Sequence, residues 1–61
     1  MSFLVGDSVK VIGGNYEGEI ATIYSISTKT VRLMLSGGSE PTGNVPFKNV
    51  SAYSLKKEKQ G

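Results

Sequence analysis

The chain has no cysteine, no histidine and no tryptophan among its 61 residues. Without cysteine no disulfide forms, and without cysteine and histidine a structural zinc site lacks its two main ligand types. The commonest general base and the most reactive nucleophile are also missing, and no serine lies in a G-x-S-x-G context. We therefore expect a protein that is not an enzyme and that has no metal, no cofactor and no small-molecule substrate.

Long apolar stretches are missing as well. The apolar clusters are far shorter than the ~18 residues that a membrane span needs, and the N-terminus is neither basic nor apolar enough for a signal peptide. These features predict a soluble protein without a membrane partner. The lack of cysteine fits a reducing compartment, so we expect an intracellular, cytoplasmic setting, with an organelle or a virion left open.

Charge is nearly balanced over most of the chain. The net charge is +2, yet residues 1–55 contain four basic and four acidic side chains, so the excess lies in the ending KKEKQG. Such a charged end is typical of a solvated terminus, and a phosphate-contacting arm is the alternative. We predict a single domain over residues 1–55 and a flexible basic C-terminal tail over residues 56–61.

Apolar residues alternate with polar ones along most of the chain. This period of two, with β-branched residues and glycine-rich joints, predicts short strands and no helix. A 61-residue chain buries only about 60 % of the surface that its unfolded form exposes, so open sheet edges are hard to cover. We therefore predict an all-β fold, a small five-stranded barrel, with strands at residues 8–12, 19–26, 30–35, 45–47 and 51–55. A tight turn at Lys48, Asn49 and Val50 is expected before the last strand.

The second strand needs an irregularity. Ile23 and Ile26 are three residues apart and cannot share a face of a regular strand, so we predict a bulge near Tyr24 or Ser25 that turns both inward. Pro46 predicts an edge position, since its nitrogen cannot donate to a ladder. The predicted interior consists of Val9, Val11, Ile23, Ile26, Val31, Leu33, Val45 and Phe47.

Residues 6–12 read GDSVKVI, a glycine follows at position 14, and residues 16–23 read YEGEIATI. This stretch resembles the KOW motif, G-D-x-V-x-V and then a glycine-containing loop and G-x-x-G-x-V, of ribosomal large-subunit proteins and NusG-type elongation factors. Residues 45–50, VPFKNV, resemble the V-P-x-x-x-V ending of such domains. The resemblance implies an SH3-like barrel of five strands. The sequence departs from the motif at Ala21, where the family usually has its second glycine. An alanine argues against a positive φ at this position.

The segment 13–18, called here the glycine loop, has two compatible interpretations. As a joint between strands that diverge steeply, it needs left-handed backbone conformations, which Gly13, Gly14, Asn15 and Gly18 supply at low steric cost. The resemblance also implies that loops of this kind meet RNA, ribosome or polymerase. Tyr16 would then be an exposed ring at the tip, which stacks on a base or fills a pocket.

Other candidate contacts lie outside the loop. Lys10, Arg32 and Lys48 are predicted to face outward, where they either meet phosphates or serve only as solvated, edge-protecting charges. Tyr24 and Met34 also face outward, for cross-strand packing or for a protein interface. The complete predicted contact set is Lys10, Gly14, Asn15, Tyr16, Arg32, Lys48, Lys56, Lys57 and Lys59.

Two functions follow as expectations. The first is a small, non-enzymatic KOW-type module that contacts RNA or a ribonucleoprotein in translation or transcription. The second is a protein-interaction or assembly subunit of a larger complex, viral or organellar assemblies included, without direct nucleic-acid contact. The motif and the basic tail favour the first function by a small margin, and the neutral body favours the second.

Overall fold

Five antiparallel strands form one sheet in the computed structural model, which describes residues 3–54. Within this range no α-helix occurs, and no helix is long and apolar enough to cross a bilayer. The predicted all-β class and the number of strands are confirmed. The strands are β1 (Ser8–Val11), β2 (Ile20–Ile26), β3 (Thr30–Leu35), β4 (Val45–Pro46) and β5 (Val50–Ala52), with a 3-10 turn (Phe47–Asn49) between β4 and β5.

The strands are hydrogen-bonded in the order β4-β3-β2-β1-β5, so β2 lies at the centre. The two edge strands are neighbours in sequence, because only the 3-10 turn separates β4 from β5. Pro46 belongs to the edge strand β4, which confirms its predicted position. At an edge its missing N–H leaves no gap in the ladder. The chain therefore passes from one edge of the sheet to the other through a single short turn.

The core consists almost entirely of aliphatic side chains on one face of the sheet. Six of the eight predicted interior residues are buried, and Phe47 is half-buried and packs against them, stacked on Phe3 with ring centroids 6.2 Å apart. Val50 and Ala21 are further core residues. No non-glycine residue among those described has a positive φ, so the β backbone expected at Ala21 is confirmed. The buried apolar side chains are Val9, Val11, Ala21, Ile23, Val31, Leu33, Val45 and Val50.

The predicted bulge is present in β2. Ile23 pairs with Leu33 while Ser25 pairs with Arg32, so Tyr24 is the extra residue. The bulge brings Ile26 opposite the buried Val31, on the core side of the sheet. The predicted burial of Ile26 is nevertheless wrong, since its side chain is 38 % exposed. Ile26 is the last residue of β2, where the sheet ends and no further strand covers it.

The predicted boundaries of the fourth and fifth strands are only partly right. Phe47 was expected to continue the fourth strand, but it begins the 3-10 turn. Val50 was expected in a tight turn, but it begins β5, pairs with Val11 and is buried. The last strand ends at Ala52, and position 55, its predicted end, lies outside the described residues. Alternation over two or three residues is too short a signal to fix such boundaries.

Thr42 completes the pairing of β3 beyond the short strand β4. Its N–H donates to the Leu33 carbonyl at 2.7 Å, and its hydroxyl accepts the Leu33 N–H at 3.2 Å. The same hydroxyl donates to the Gly43 carbonyl at 2.8 Å. Thr42 is the buried polar residue of the described range. One threonine thus satisfies both backbone groups of Leu33 where a strand residue would otherwise be needed.

We predict that Thr42→Val lowers the free energy of unfolding by about 1–3 kcal/mol, because the Leu33 N–H stays buried without an acceptor. Thr42→Ser keeps the hydroxyl and loses one buried methyl group, so it should lower that free energy by only about 0.8 kcal/mol. Urea unfolding followed by circular dichroism measures both variants. A valine variant at least as stable as the serine variant would contradict this role of the hydroxyl.

Candidate binding cleft

The glycine loop is closed by backbone hydrogen bonds at its base. The Val11 carbonyl accepts the Gly18 N–H at 2.8 Å, and the Val11 N–H donates to the Glu19 carbonyl at 2.8 Å. Gly14 and Gly18 have φ angles of +85° and +94°, as expected for them. The left-handed conformation predicted for Gly13 and Asn15 is wrong. Two positive φ angles suffice for this loop, and Gly13 is small for a different reason.

That reason is the close approach of Asn49, the last residue of the 3-10 turn. A Cβ atom on Gly13 would lie 3.1 Å from Asn49 Oδ1, and one on Gly14 would lie 3.0 Å from Asn49 Nδ2. Asn49 is also tied to the chain just before the loop, since its carbonyl accepts the Ile12 N–H at 2.7 Å. The Gly-Gly pair therefore lets the loop lie directly on the asparagine side chain.

An open cleft of about 230 Å³ lies between the glycine loop and the chain around β4. Its lining includes three asparagines and Tyr16, which is 38 % exposed, and it contains no charged residue. Each amide offers two donors and an acceptor, and the ring offers a stacking surface. The cleft thus suits a flat, polar, uncharged group. It is lined by Gly13, Gly14, Asn15, Tyr16, Asn44, Val45, Pro46 and Asn49.

The predicted contact residues are distributed over several places. Gly14, Asn15 and Tyr16 come together in the cleft. Lys48 is exposed on the 3-10 turn, next to Asn49 in sequence but outside the lining. Lys10 is exposed on β1 and Arg32 on β3, again outside it, while positions 56, 57 and 59 lie outside the described residues. All nine contacts remain predictions.

Only half of the residues that line the cleft were predicted from the sequence. The cleft is completed from the far end of the chain by Asn44, Val45, Pro46 and Asn49, and no pattern in the sequence identifies these residues as neighbours of the loop. Asn49 was assigned only to a tight turn. One signal was present, however, because two adjacent glycines exceed what a turn with one positive φ requires, and such an excess indicates close approach of another chain segment.

A scan against protein-family models matches none of them, and a search of curated proteins finds no significant match to the chain. The resemblance to the KOW motif therefore stays a prediction that depends on the residues quoted for it.

We predict that Gly14→Ala disturbs the cleft while Gly18→Ala does not. Both alanines are forced to a positive φ, which costs about 1–2 kcal/mol of stability. Only the Cβ at position 14 meets the Asn49 amide, because nothing lies within 4 Å of a Cβ at position 18. In ¹H–¹⁵N spectra the Asn49 side-chain amide should shift in the first variant alone. Equal shifts in both variants would contradict this packing.

Proposed function

We propose that the chain is a non-enzymatic, KOW-type module that binds RNA, free or in a ribonucleoprotein, through the cleft between the glycine loop and the chain around β4. We further propose that its sheet closes as an SH3-like barrel. Closure is favoured by the strand order, because the edge strands β4 and β5 are joined by one 3-10 turn. The KOW-like spacing of residues 6–23 and the ending 45–50 support the same assignment.

The observation that carries the proposal is the chemistry of the cleft. Three asparagines (Asn15, Asn44 and Asn49) and Tyr16 line one small space. Unpaired bases are recognised by stacking on aromatic rings and by hydrogen bonds to their edges. Asparagine amides supply both donors and acceptors for those edges. The cleft therefore combines the two kinds of contact that a single unpaired base needs.

The size of the cleft favours a macromolecule over a small-molecule substrate. Pockets for drug-sized ligands usually measure about 300–1,000 Å³ and bury most of the ligand. At about 230 Å³ and open to solvent, this cleft holds only one group of a larger partner. Further binding energy must then come from contacts outside it, such as the exposed Lys48 beside Asn49. We expect those contacts to be made with phosphates.

A protein partner is the second candidate, and one observation favours it. Leu4 and Val5 are 69 % and 64 % exposed at the start of the described chain. They lie in a tight turn in which the Asp7 N–H donates to the Leu4 carbonyl at 3.0 Å and the Asp7 carboxylate accepts the Leu4 N–H at 2.9 Å. Gly6, with φ +98°, completes the turn. Two exposed aliphatic side chains in a hydrogen-bonded turn suit a protein interface.

We predict that the wild-type chain binds a mixed-sequence single-stranded RNA at low salt and that Tyr16→Ala weakens this binding. Loss of one base–ring stack is worth about 1–3 kcal/mol, or about 5- to 150-fold in Kd. Tyr16→Phe keeps the ring and should stay within about twofold of wild type. Fluorescence anisotropy at two salt concentrations measures all three, and with about three phosphate contacts fourfold more salt should weaken wild-type binding about 20-fold.

Failure of the wild-type chain to bind RNA at low salt would refute the proposed function. The Leu4–Val5 turn would then become the candidate contact surface. Binding that is insensitive to Tyr16→Ala would move the RNA contact away from the cleft and leave the class of function intact.

A further inference from the structure

Two contacts restrain the side chain of Arg32 on the outer face of the sheet. The Arg32 guanidinium lies over the Tyr24 ring, 5.6 Å from its centroid, and Arg32 Nε donates to the Thr42 carbonyl at 3.2 Å. Tyr24 is the extra residue of the β2 bulge and is 50 % exposed. The bulge thus places a tyrosine beside an arginine that the neighbouring strand presents. Two contacts, with the Tyr24 ring and with the Thr42 carbonyl, restrain the guanidinium.

The Arg32 guanidinium can still bind another group. The contact with Thr42 uses only the Nε–H, so the donors on the two terminal nitrogens are left for another partner. Among residues 3–54 no carboxylate forms an ion pair with Arg32. A planar fork that is already restrained matches a phosphate group and loses less freedom on binding it than a free side chain does. This distinguishes Arg32 from an ordinary solvated surface charge.

The arginine is also bonded to the chain segment that leads to the cleft. Val31 pairs with Val45 in the last rung between β3 and β4, and Arg32 and Asn44 are the residues next to that rung on the two segments. Asn44 lines the cleft, and Thr42, which accepts the Arg32 hydrogen bond, is two residues before it. The hydrogen bond to Thr42 therefore joins Arg32 to the segment that leads to the cleft wall at Asn44, while Arg32 itself lies outside the lining.

We infer that the cleft and the Tyr24–Arg32 pair form one continuous track for single-stranded RNA. In this track Arg32 binds a backbone phosphate, and a neighbouring base enters the cleft and stacks on Tyr16. Tyr24 orients the guanidinium and adds exposed ring surface for a further base. A duplex does not fit this track, because its bases are already stacked and paired. The inference rests on the proposed function and specifies its ligand and its binding mode.

The test compares substitutions that remove the same charge from different places. Arg32→Gln should weaken the binding of a ten-nucleotide single-stranded RNA by about tenfold or more, since it removes a charge-assisted fork. Lys29→Gln removes an equal charge from an exposed residue of the turn between β2 and β3, and should change Kd by about twofold at most. Arg32→Lys keeps the charge and loses the fork, so we expect about fivefold weakening.

Further binding measurements distinguish single-stranded RNA from other ligands. A duplex of the same sequence should bind about tenfold or more weakly than the single strand. Tyr24→Leu should weaken single-strand binding while leaving the sheet folded, as seen in ¹H–¹⁵N spectra. Equal effects of Arg32→Gln and Lys29→Gln, equal binding of duplex and single strand, or tighter binding of an acidic peptide than of RNA would each overturn the inference. If wild type binds no RNA, the proposed function fails first.

Discussion

The hydrogen bond from the Ile12 N–H to the Asn49 carbonyl is the contact on which the rest of the molecule depends. At 2.7 Å it ties the end of β1 to the 3-10 turn, and it brings the Asn49 side chain under the glycine loop. The requirement for small residues at Gly13 and Gly14 follows from that approach, as does the wall of the cleft. The same turn joins the two edge strands, so one contact links the sheet's topology to its candidate site.

Two irregular features of the sheet hold Arg32 on its outer face. The bulge at Tyr24 shifts the register of β2 against β3 and sets a ring beside Arg32. Thr42 replaces a strand partner for Leu33, and its carbonyl accepts the arginine's Nε–H. Thr42 compensates for the shortness of β4, and the bulge sets the register of β2 against β3. Both features also hold the candidate contact residue Arg32.

Alternation in the sequence was sufficient to predict the strands and most of the core, because burial on one face of a sheet imposes a period of two. It also predicted the bulge, since Ile23 and Ile26 violate that period. It failed for Ile26, because periodicity shows which way a side chain points and not where the sheet ends. It failed for Val50 and Asn49 because their surroundings come from residues almost forty positions away, which no local pattern encodes.

The central claim is that the glycine loop, resting on Asn49, forms one wall of a cleft that binds an unpaired base. The most direct test is a ¹H–¹⁵N titration of the wild-type chain with short single-stranded RNA, monitored at the side-chain amides of Asn15, Asn44 and Asn49 and at Arg32 Nε. The account predicts that these signals shift most and together, with one affinity. Shifts confined to other parts of the chain, with the three amides unmoved at saturation, would contradict it.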